Sequence, residues 1–461
     1  MENSRSRRSP DPFDRTTAAI AAQVSAVLPD GAPLLLACSG GLDSTVLLHA
    51  LAGMGRWRLS CAHVHHGLSP NAEAWAQHCA AQAASLGLPF VLHRVEVALD
   101  SPDGVECAAR EARYRVLDAQ ALSQGAAALL TAHHADDQAE TLLHNLVRGA
   151  GLMGLAGMPA WRPSAPGRPA QLRPMLSLSR SVLEAAARAR GLSWVEDESN
   201  ADTRYARNYL RAEVMPVLSS RWSRTAETLA GAARRLAEAQ GLLDGLADAD
   251  ASALAVTTAW GQGWSIDGLR ALEPARQRNL LRRLLRLQGA RTAPTEAWLD
   301  EWRRQLLGWQ PGAECPVSHA GVAGFCHRGL LWLMPDLPAP AALNWQGETD
   351  IVWAAGRLQL QPVQGRGLSQ SALAQAAPVL RVRQPKDRVR RGPGRPRAGV
   401  KQIAQECGLP PWLRDRAPLF VAGREALWMP GCEPAEPWAA GPGEPGWMPV
   451  WTPVVAQSTS G

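Results

Sequence analysis

Six consecutive residues, Ser39-Gly40-Gly41-Leu42-Asp43-Ser44, carry the groups needed to hold a polyphosphate. They follow the apolar run Pro33-Leu34-Leu35-Leu36-Ala37-Cys38 and lead into Thr45-Val46-Leu47-Leu48-His49-Ala50-Leu51. A strand, a turn of small residues and a helix start let backbone N–H groups close around phosphate oxygens, and the helix N-terminus adds positive potential. Ser39 and Ser44 supply hydroxyl donors, and Asp43 supplies a carboxylate for a divalent cation such as Mg2+. The Gly-Lys-Ser/Thr ending of a Walker A loop is missing. A plain capped strand–helix turn is the structural alternative.

A second constellation is His134-Ala135-Asp136-Asp137-Gln138-Ala139-Glu140-Thr141. Asp137, Glu140 and Thr141 are spaced to share one helical face, with His134 one turn earlier. Two carboxylates and an imidazole there could bind a metal, move a proton or capture an ammonium group. Close carboxylates repel, which raises one pKa and suits a group that accepts a proton. The bland alternative is a capped helix start whose acids complement the dipole. Arg110-Glu111-Ala112-Arg113-Tyr114 is either a solvated face or a phosphate clamp. The cluster His63-x-His65-His66 is weak as a metal site, and Leu142, Leu143, Leu146 and Val147 read as core.

The elements that must position these groups alternate. Strands are expected at residues 34–38, 59–64, 90–97 and 127–132, with amphipathic helices at 71–86 and 106–122. That alternation predicts a parallel, doubly wound α/β sheet whose ligands sit at the carboxyl ends of its strands. Both constellations and residues 63–66 should therefore share one crevice. The 461 residues are 46% hydrophobic and 20% charged, enough for several cores. Residues 1–30 are expected to be a flexible extension, 31–220 the catalytic domain and 221–335 a helical domain. A proline-rich linker at 335–340 precedes a small, basic α+β domain at 341–461. No apolar run is long enough to span a bilayer, and no secretory h-region is present, so a cytoplasmic protein without membrane contact is expected. The eight cysteines lack C-x-x-C or zinc-like spacing.

Net charge is +6, unevenly spread. Residues 270–304 hold nine Arg against four Asp/Glu, and residues 381–401 hold nine Lys/Arg against one Asp. The first stretch reads equally as a solvated helix face. The second, with Gly392-Pro393-Gly394-Arg395-Pro396-Arg397, is loop-like, which favours phosphate contact through Arg388, Arg390, Arg391, Arg395, Arg397 and Lys401.

The SGGxDS loop resembles that of the N-type ATP pyrophosphatases, a Rossmann-like fold family. The chain is also similar to the tRNA(Ile)-lysidine synthases, a branch of that pyrophosphate-loop family, across roughly residues 32–220. The likeness runs through Ala62-His63-Val64-His65-His66-Gly67, the 110–114 run, residues 134–141, Arg148-Gly149 and Leu172-Arg173-Pro174. It continues through Glu196-Asp197-Glu198-Ser199-Asn200, Arg207-Asn208-Tyr209-Leu210-Arg211 and Met215-Pro216-Val217-Leu218. Residues 381–390 and Gly408-Leu409-Pro410-Pro411-Trp412-Leu413-Arg414-Asp415-Arg416 resemble the longer form of the family. Where such enzymes often carry several consecutive basic residues before the Pro-Trp element, this chain keeps only Lys401.

The resemblance implies ATP and Mg2+ as cofactors, with free L-lysine and a CAU-anticodon tRNA(Ile) as substrates. Lysine would join C2 of the wobble cytidine through an adenylated tRNA, converting codon reading from AUG to AUA. Ser39 to Ser44 would bind ATP, with Asp43, His134, Asp137 and Glu140 catalytic, and Asp137 and Glu140 receiving the lysine ammonium. Arg113, Arg148, Arg207 and Arg211 join the later basic residues as tRNA contacts. A tRNA thiolase of the same fold is the alternative, disfavoured by the missing C-x-x-C. A small-molecule amidotransferase or synthetase would not need the basic C-terminal region. A non-catalytic RNA-binding protein would not need the intact loop and paired carboxylates. Sequence leaves the oligomeric state open, a homodimer included.

Overall fold

Strand β1 (Pro33–Ala37) is apolar at nearly every position because both of its faces are covered: Leu34, Leu35 and Leu36 are at most 1% exposed. In the computed structural model, two compact units comprise residues 1–242 and 243–461. Described residues are 11–98, 100, 104–196, 203–258, 260–311, 313, 317–336, 340–353, 356–390, 394, 396–434 and 437–453. Among them, no helix is long and apolar enough to cross a membrane.

The first unit opens with helix α1 (Pro12–Ser25), then β1, α2 (Leu42–Met54), β2 (Arg58–His65), α3 (Ala72–Ser85) and β3 (Phe90–Arg94). It continues through α4 (Val105–Ser123), β4 (Ala128–Leu130) and α5 (Ala135–Val147). A short α6 (Leu152–Leu155) precedes β5 (Trp161–Arg162), β6 (Gln171–Leu172) and α7 (Arg180–Ala189). The sheet order is β3-β2-β1-β4-β6-β5, parallel except where β5 meets β6. Strand order reverses between β1 and β4, where open α/β sheets leave a ligand crevice. Both constellations stand at that point, one after each strand.

The expected flexible extension at 1–30 is corrected over its described part. Asp11 accepts the N–H groups of Phe13 and Asp14, Pro12 begins α1, and Phe13, Thr16, Ile20 and Val24 turn one stripe into the core. At the unit's other end, α8 (Ala206–Tyr209), a π turn (Leu210–Val214) and α9 (Met215–Arg221) run on without a break. π turns are rare and commonly stand at functional sites.

Helix α10 (Thr225–Leu254) contains the border between the units. Residues 221–335, expected to be helical, also hold a five-stranded antiparallel sheet. It combines β7 (Ala255–Thr258), β8 (Gly261–Ser265), β9 (Val317–His319), β10 (Val322–His327) and β11 (Leu330–Pro335) with α11 (Ile266–Ala271), α12 (Pro274–Leu287) and α13 (Glu296–Gly308). Trp264, Trp302 and four leucines of α12 fill its core. Beyond it lie two further four-stranded sheets. Trp332 and Phe325 of the first sheet pack on Trp412, so the expected linker lies between segments that share a core.

The basic stretch at 381–401 is not the loop expected from its glycines and prolines. Arg388–Arg390 and Arg397–Gly399 pair as an antiparallel hairpin, anchored by Val389, which is 1% exposed. The alternating Arg-Val-Arg puts the apolar residue inward and both arginines outward.

Candidate active site

The turn after β1 is braced by its own side chains. Ser39 and Ser44 hydroxyls lie 3.1 Å apart, Ser44 donates to the Gly41 carbonyl at 3.1 Å, and the Gly41 N–H reaches Ser39 Oγ at 3.3 Å. Gly40 has φ +83°, and a Cβ there would stand 3.0 Å from Val195 Cγ2 and 3.1 Å from Cys79 Sγ. Glycine is thus required both for backbone conformation and for space. Gly41 caps α2, while Leu42 sinks into the core and fixes the helix's direction. Ser39, Asp43 and Ser44 face a crevice of about 390 Å³.

Across that crevice stands the start of α5, where the bland alternative and the functional one are both realised. The Asp136 N–H donates to His134 Nδ1 at 3.2 Å, and Asp137 Oδ2 accepts the His134 N–H at 3.0 Å, which closes a capping box. The His134 side chain, 2% exposed, lies with Nε2 3.5 Å from both Asp43 Oδ2 and Asp137 Oδ2. One imidazole therefore ties the phosphate turn to the acidic helix. Burial opposes its charge, but the Asp136 and Asp43 carboxylates, with Asp137 nearby, push its pKa up to about 10. The Asp136 N–H and the Asp136 carboxylate 3.4 Å from Nδ1 ask for opposite protonation states of that nitrogen. Three surrounding carboxylates favour the imidazolium.

Asp136 itself accepts the Arg180 N–H at 2.8 Å and so locks α7 to α5. Asp137 lines the crevice, whereas Glu140 does not. Glu140 is buried at 1% exposure, and Arg211 clasps it through Nε at 2.7 Å and Nη2 at 2.9 Å while also reaching Asp137 Oδ1 at 3.2 Å. Burial pushes the Glu140 carboxyl up, and Arg211 pulls it back toward the ionised form. Arg211 is carried by the π turn, and Arg207, one turn earlier, donates to Thr141 Oγ1 at 2.8 Å.

Of the residues expected to touch RNA, Arg113, Arg207 and Arg211 line the crevice. Arg211, expected as a tRNA contact, is also the partner of two carboxylates, Asp137 and Glu140. Arg148 lies outside the crevice lining, exposed at the end of α5 with Nη1 3.2 Å from His144 Nε2. In the second unit Arg388, Arg390 and Lys401 are exposed, whereas Arg397 is ion-paired with Glu425. Arg391 and Arg395 lie outside the described residues, as do the 197–200 positions of the 196–200 run.

His133, which sequence reasoning passed over, also lines the crevice, as do Tyr114 and Asn208 of the two runs that it noted without giving them a role. Burial lowers the pKa of His133 to about 4, with Asp137 opposing and Arg173, Arg110 and Arg113 assisting, so its imidazole is neutral. Its Nδ1 lies 3.0 Å from Thr131 Oγ1. The signal was its place beside His134, which drew the attention instead. Among the described residues no cluster of three or more His, Cys, Asp or Glu forms a metal cage. Asp43 Oδ1, however, is buried without a hydrogen-bond partner, an acceptor that a cation would satisfy. The crevice can thus hold a polyphosphate at one wall and a cationic group at the other.

The sequence matches the PP-loop domain over residues 15–218, the TilS substrate binding domain over 265–332 and the TilS substrate C-terminal domain over 379–451. It is 42% identical over 435 residues to the tRNA(Ile)-lysidine synthase of Aromatoleum aromaticum, covering 93% of this chain and 99% of that protein. It is 40% identical over 436 residues to the protein of the same name from Azoarcus sp., covering 94% of each. The Pseudomonas aeruginosa protein of that name is 40% identical over 440 residues, 91% of this chain and 93% of its own length.

Proposed function

This chain belongs to the tRNA(Ile)-lysidine synthase family, and on that premise we propose that it ligates free L-lysine to C2 of the wobble cytidine in a CAU-anticodon tRNA(Ile). Its PP-loop domain and its family make it an ATP-using ligase. The observation that carries the finer reading is the single crevice in which a phosphate turn and an acidic helix face each other across His134.

The reaction has two steps. Cytidine O2 attacks the α-phosphate of ATP, pyrophosphate leaves, and the base becomes an adenylate. The lysine ε-amine then attacks C2 and AMP departs, so modified tRNA reads AUA rather than AUG. Backbone N–H groups of residues 39–44 and both serine hydroxyls hold the phosphates where negative charge grows. Asp43 would hold Mg2+ through the buried Oδ1 that lacks a protein partner. That ion supplies neutralisation of charge on the departing pyrophosphate.

At the other wall lysine arrives mostly as ammonium, its unperturbed pKa being about 10.4. Asp137, half of a capping box and so fixed in place, receives that ammonium directly. Glu140 is a positioning residue that acts through the Arg211 it holds. Asp137 lines the crevice directly, and since Arg113, Arg207 and Arg211 line the same space, its own carboxylate, rather than any excess of negative charge, would draw a further cation. Neutral His133 adds no positive charge against the incoming ammonium.

The test is a reconstitution with ATP, labelled lysine and a CAU-anticodon tRNA(Ile) transcript. Label should enter the RNA only when ATP and the cytidine are present, with AMP and pyrophosphate released in equal amounts. A uridine at the target position should abolish incorporation. Incorporation into that uridine transcript, or none into the cytidine one, rejects the reading.

A further inference from the structure

The hairpin that joins β10 to β11 turns on two residues, Arg328 and Gly329, with φ +51° and +76°. Such a turn needs left-handed backbone at both positions, which suits Asn-Gly or Gly-Gly and strains a larger side chain. The neighbouring β9–β10 turn has the same form and fills its first position with Ala320, φ +49°. In the β10–β11 turn an exposed arginine takes that place. Among the described residues no hydrogen bond or ion pair of the Arg328 side chain offsets the strain. Strain of this kind persists chiefly where a residue has a task.

The neighbours of Arg328 suggest the task. His327 lies edge-on to Trp412, ring centroids 5.9 Å apart, and Trp412 also packs on Phe325 of β10 and Trp332 of β11. Trp412 belongs to the short helix Pro411–Arg414, so its contact with His327 carries Arg414 toward the turn. Arg414 Nε donates to the Leu409 carbonyl at 2.7 Å, which fixes the guanidinium and leaves both terminal nitrogens without a partner among the described residues. Burial lowers the Arg414 pKa, Asp415 opposes this, and the charges of Arg328 and Arg383 add to the lowering. Asp415 is already taken by Arg383. Burial also lowers the pKa of His327, with Arg328 and Arg414 assisting, so its imidazole is neutral and keeps one N–H to donate.

We propose that Arg328 and Arg414, together with His327, form a site for one backbone phosphate of the RNA substrate. The inference rests on the RNA-modifying function proposed above. A phosphate brings the negative charge that relieves the mutual repulsion of these arginines. The two terminal nitrogens of Arg414 match two of its oxygens in a planar fork. Exposure on a turn suits a polymer, whose affinity is summed over many phosphate contacts. Neither arginine belongs to the basic stretch at 381–401, so charge density along the sequence gives no hint of the site.

The test measures binding of the full chain to a CAU-anticodon tRNA(Ile) transcript over a range of salt. The variants are Arg328→Gly, Arg414→Gln, the two combined, and Ala320→Gly. Each arginine change should weaken binding about two- to fivefold at moderate salt, the scale of an exposed ion pair. Both together should lower the log–log salt slope by no more than about one, since they share one phosphate. Arg328→Gly should melt at or above the wild-type temperature, because glycine takes the left-handed turn without strain, so its loss of binding cannot come from unfolding. Ala320→Gly relieves the same strain in the neighbouring turn and should bind RNA as wild type does. ATP affinity and turnover at saturating RNA should hold throughout. Unchanged binding in Arg328→Gly, a slope change of about two in the double variant, or an equal loss in Ala320→Gly overturns the proposal. Weaker ATP binding with intact RNA binding overturns it too, by pointing to a nucleotide phosphate. Should wild-type protein bind and modify the transcript while Arg328→Gly matches it, only this inference falls. Failure of wild-type protein to bind that transcript removes both.

Discussion

Charge is used in opposite ways by the crevice of the first unit and the basic hairpin of the second. Around His134 the ionised groups are buried or half-buried, held by a capping box, a π turn and mutual ion pairs. Among the described residues of the hairpin only Val389 is buried, and Arg388 and Arg390 point outward. A buried charge acts in low dielectric and cannot be moved without leaving a partner unsatisfied. An exposed arginine is screened by salt and replaceable by its neighbours. The crevice should therefore answer to single atoms, and the hairpin to total charge.

The largest effect is expected at Asp43. Asp43→Ala should lower RNA-dependent pyrophosphate release by about a hundred- to a thousandfold, on the scale of removing one preorganised charge stabiliser. Thermal stability should fall as well, because Asp43 Oδ2 helps to hold the buried His134 in its charged form, so turnover is compared at a temperature where both proteins are folded. Near-normal turnover would place the aspartate outside the chemistry and weaken the contrast at its root.

Arg211→Met comes next, and it reads out as stability. It leaves the Glu140 carboxylate buried without either of the two hydrogen bonds from the Arg211 guanidinium. Breaking a fully buried pair costs about 3–5 kcal/mol, and exposure of 36% of the Arg211 side chain brings the expectation to about 2–3 kcal/mol. Adding Glu140→Gln should restore part of that loss in a denaturant melt, since a neutral amide tolerates burial better than a lone carboxylate. No recovery would mean that Arg211 matters through packing and not through charge.

The smallest effects belong to the hairpin. Arg388→Gln, Arg390→Gln and Lys401→Gln together should weaken RNA binding and lower the log–log salt slope by somewhat under one for each phosphate that is no longer neutralised. Turnover at saturating RNA should hold. Arg397→Gln should change the slope less than Arg388→Gln, because Arg397 is already occupied by Glu425. Equal slopes in all variants would make the hairpin a solvated edge.

What could be read from sequence divides along similar lines. The turn at residues 39–44 was legible because its strand, glycines and helix start are contiguous, so local chemistry determines its shape. The acidic face of α5 was legible from three- and four-residue spacing. The clasp of Glu140 by Arg211 was not, since it joins residues 71 positions apart. Helix α1 carried its signals, an Asp11 cap, Pro12 and an apolar stripe through Ile20 and Val24, beneath polar flanking residues that suggested an extension. In the hairpin, one valine between two arginines was too little apolar periodicity to outweigh the nearby glycines and prolines. The β7–β8 hairpin was missed because its two short strands fall within a long, helix-rich stretch.

The central claim is that the two walls of the crevice serve different steps, the phosphate turn adenylating the base and the acidic helix delivering lysine. Asp137→Asn separates them most directly, because an asparagine oxygen can still accept the His134 N–H and keep the helix capped while the charge is lost. In single turnover, AMP transfer to the tRNA and lysine incorporation are measured separately, alongside Glu140→Gln. Lysine incorporation should fall by about a hundredfold or more in Asp137→Asn, the scale of losing a group used in binding and deprotonating the nucleophile. Adenylation should stay within severalfold of wild type, so that adenylated tRNA accumulates, with Glu140→Gln showing the same pattern to a lesser degree. Equal loss in both steps would contradict the division and assign the acidic helix to the ATP machinery.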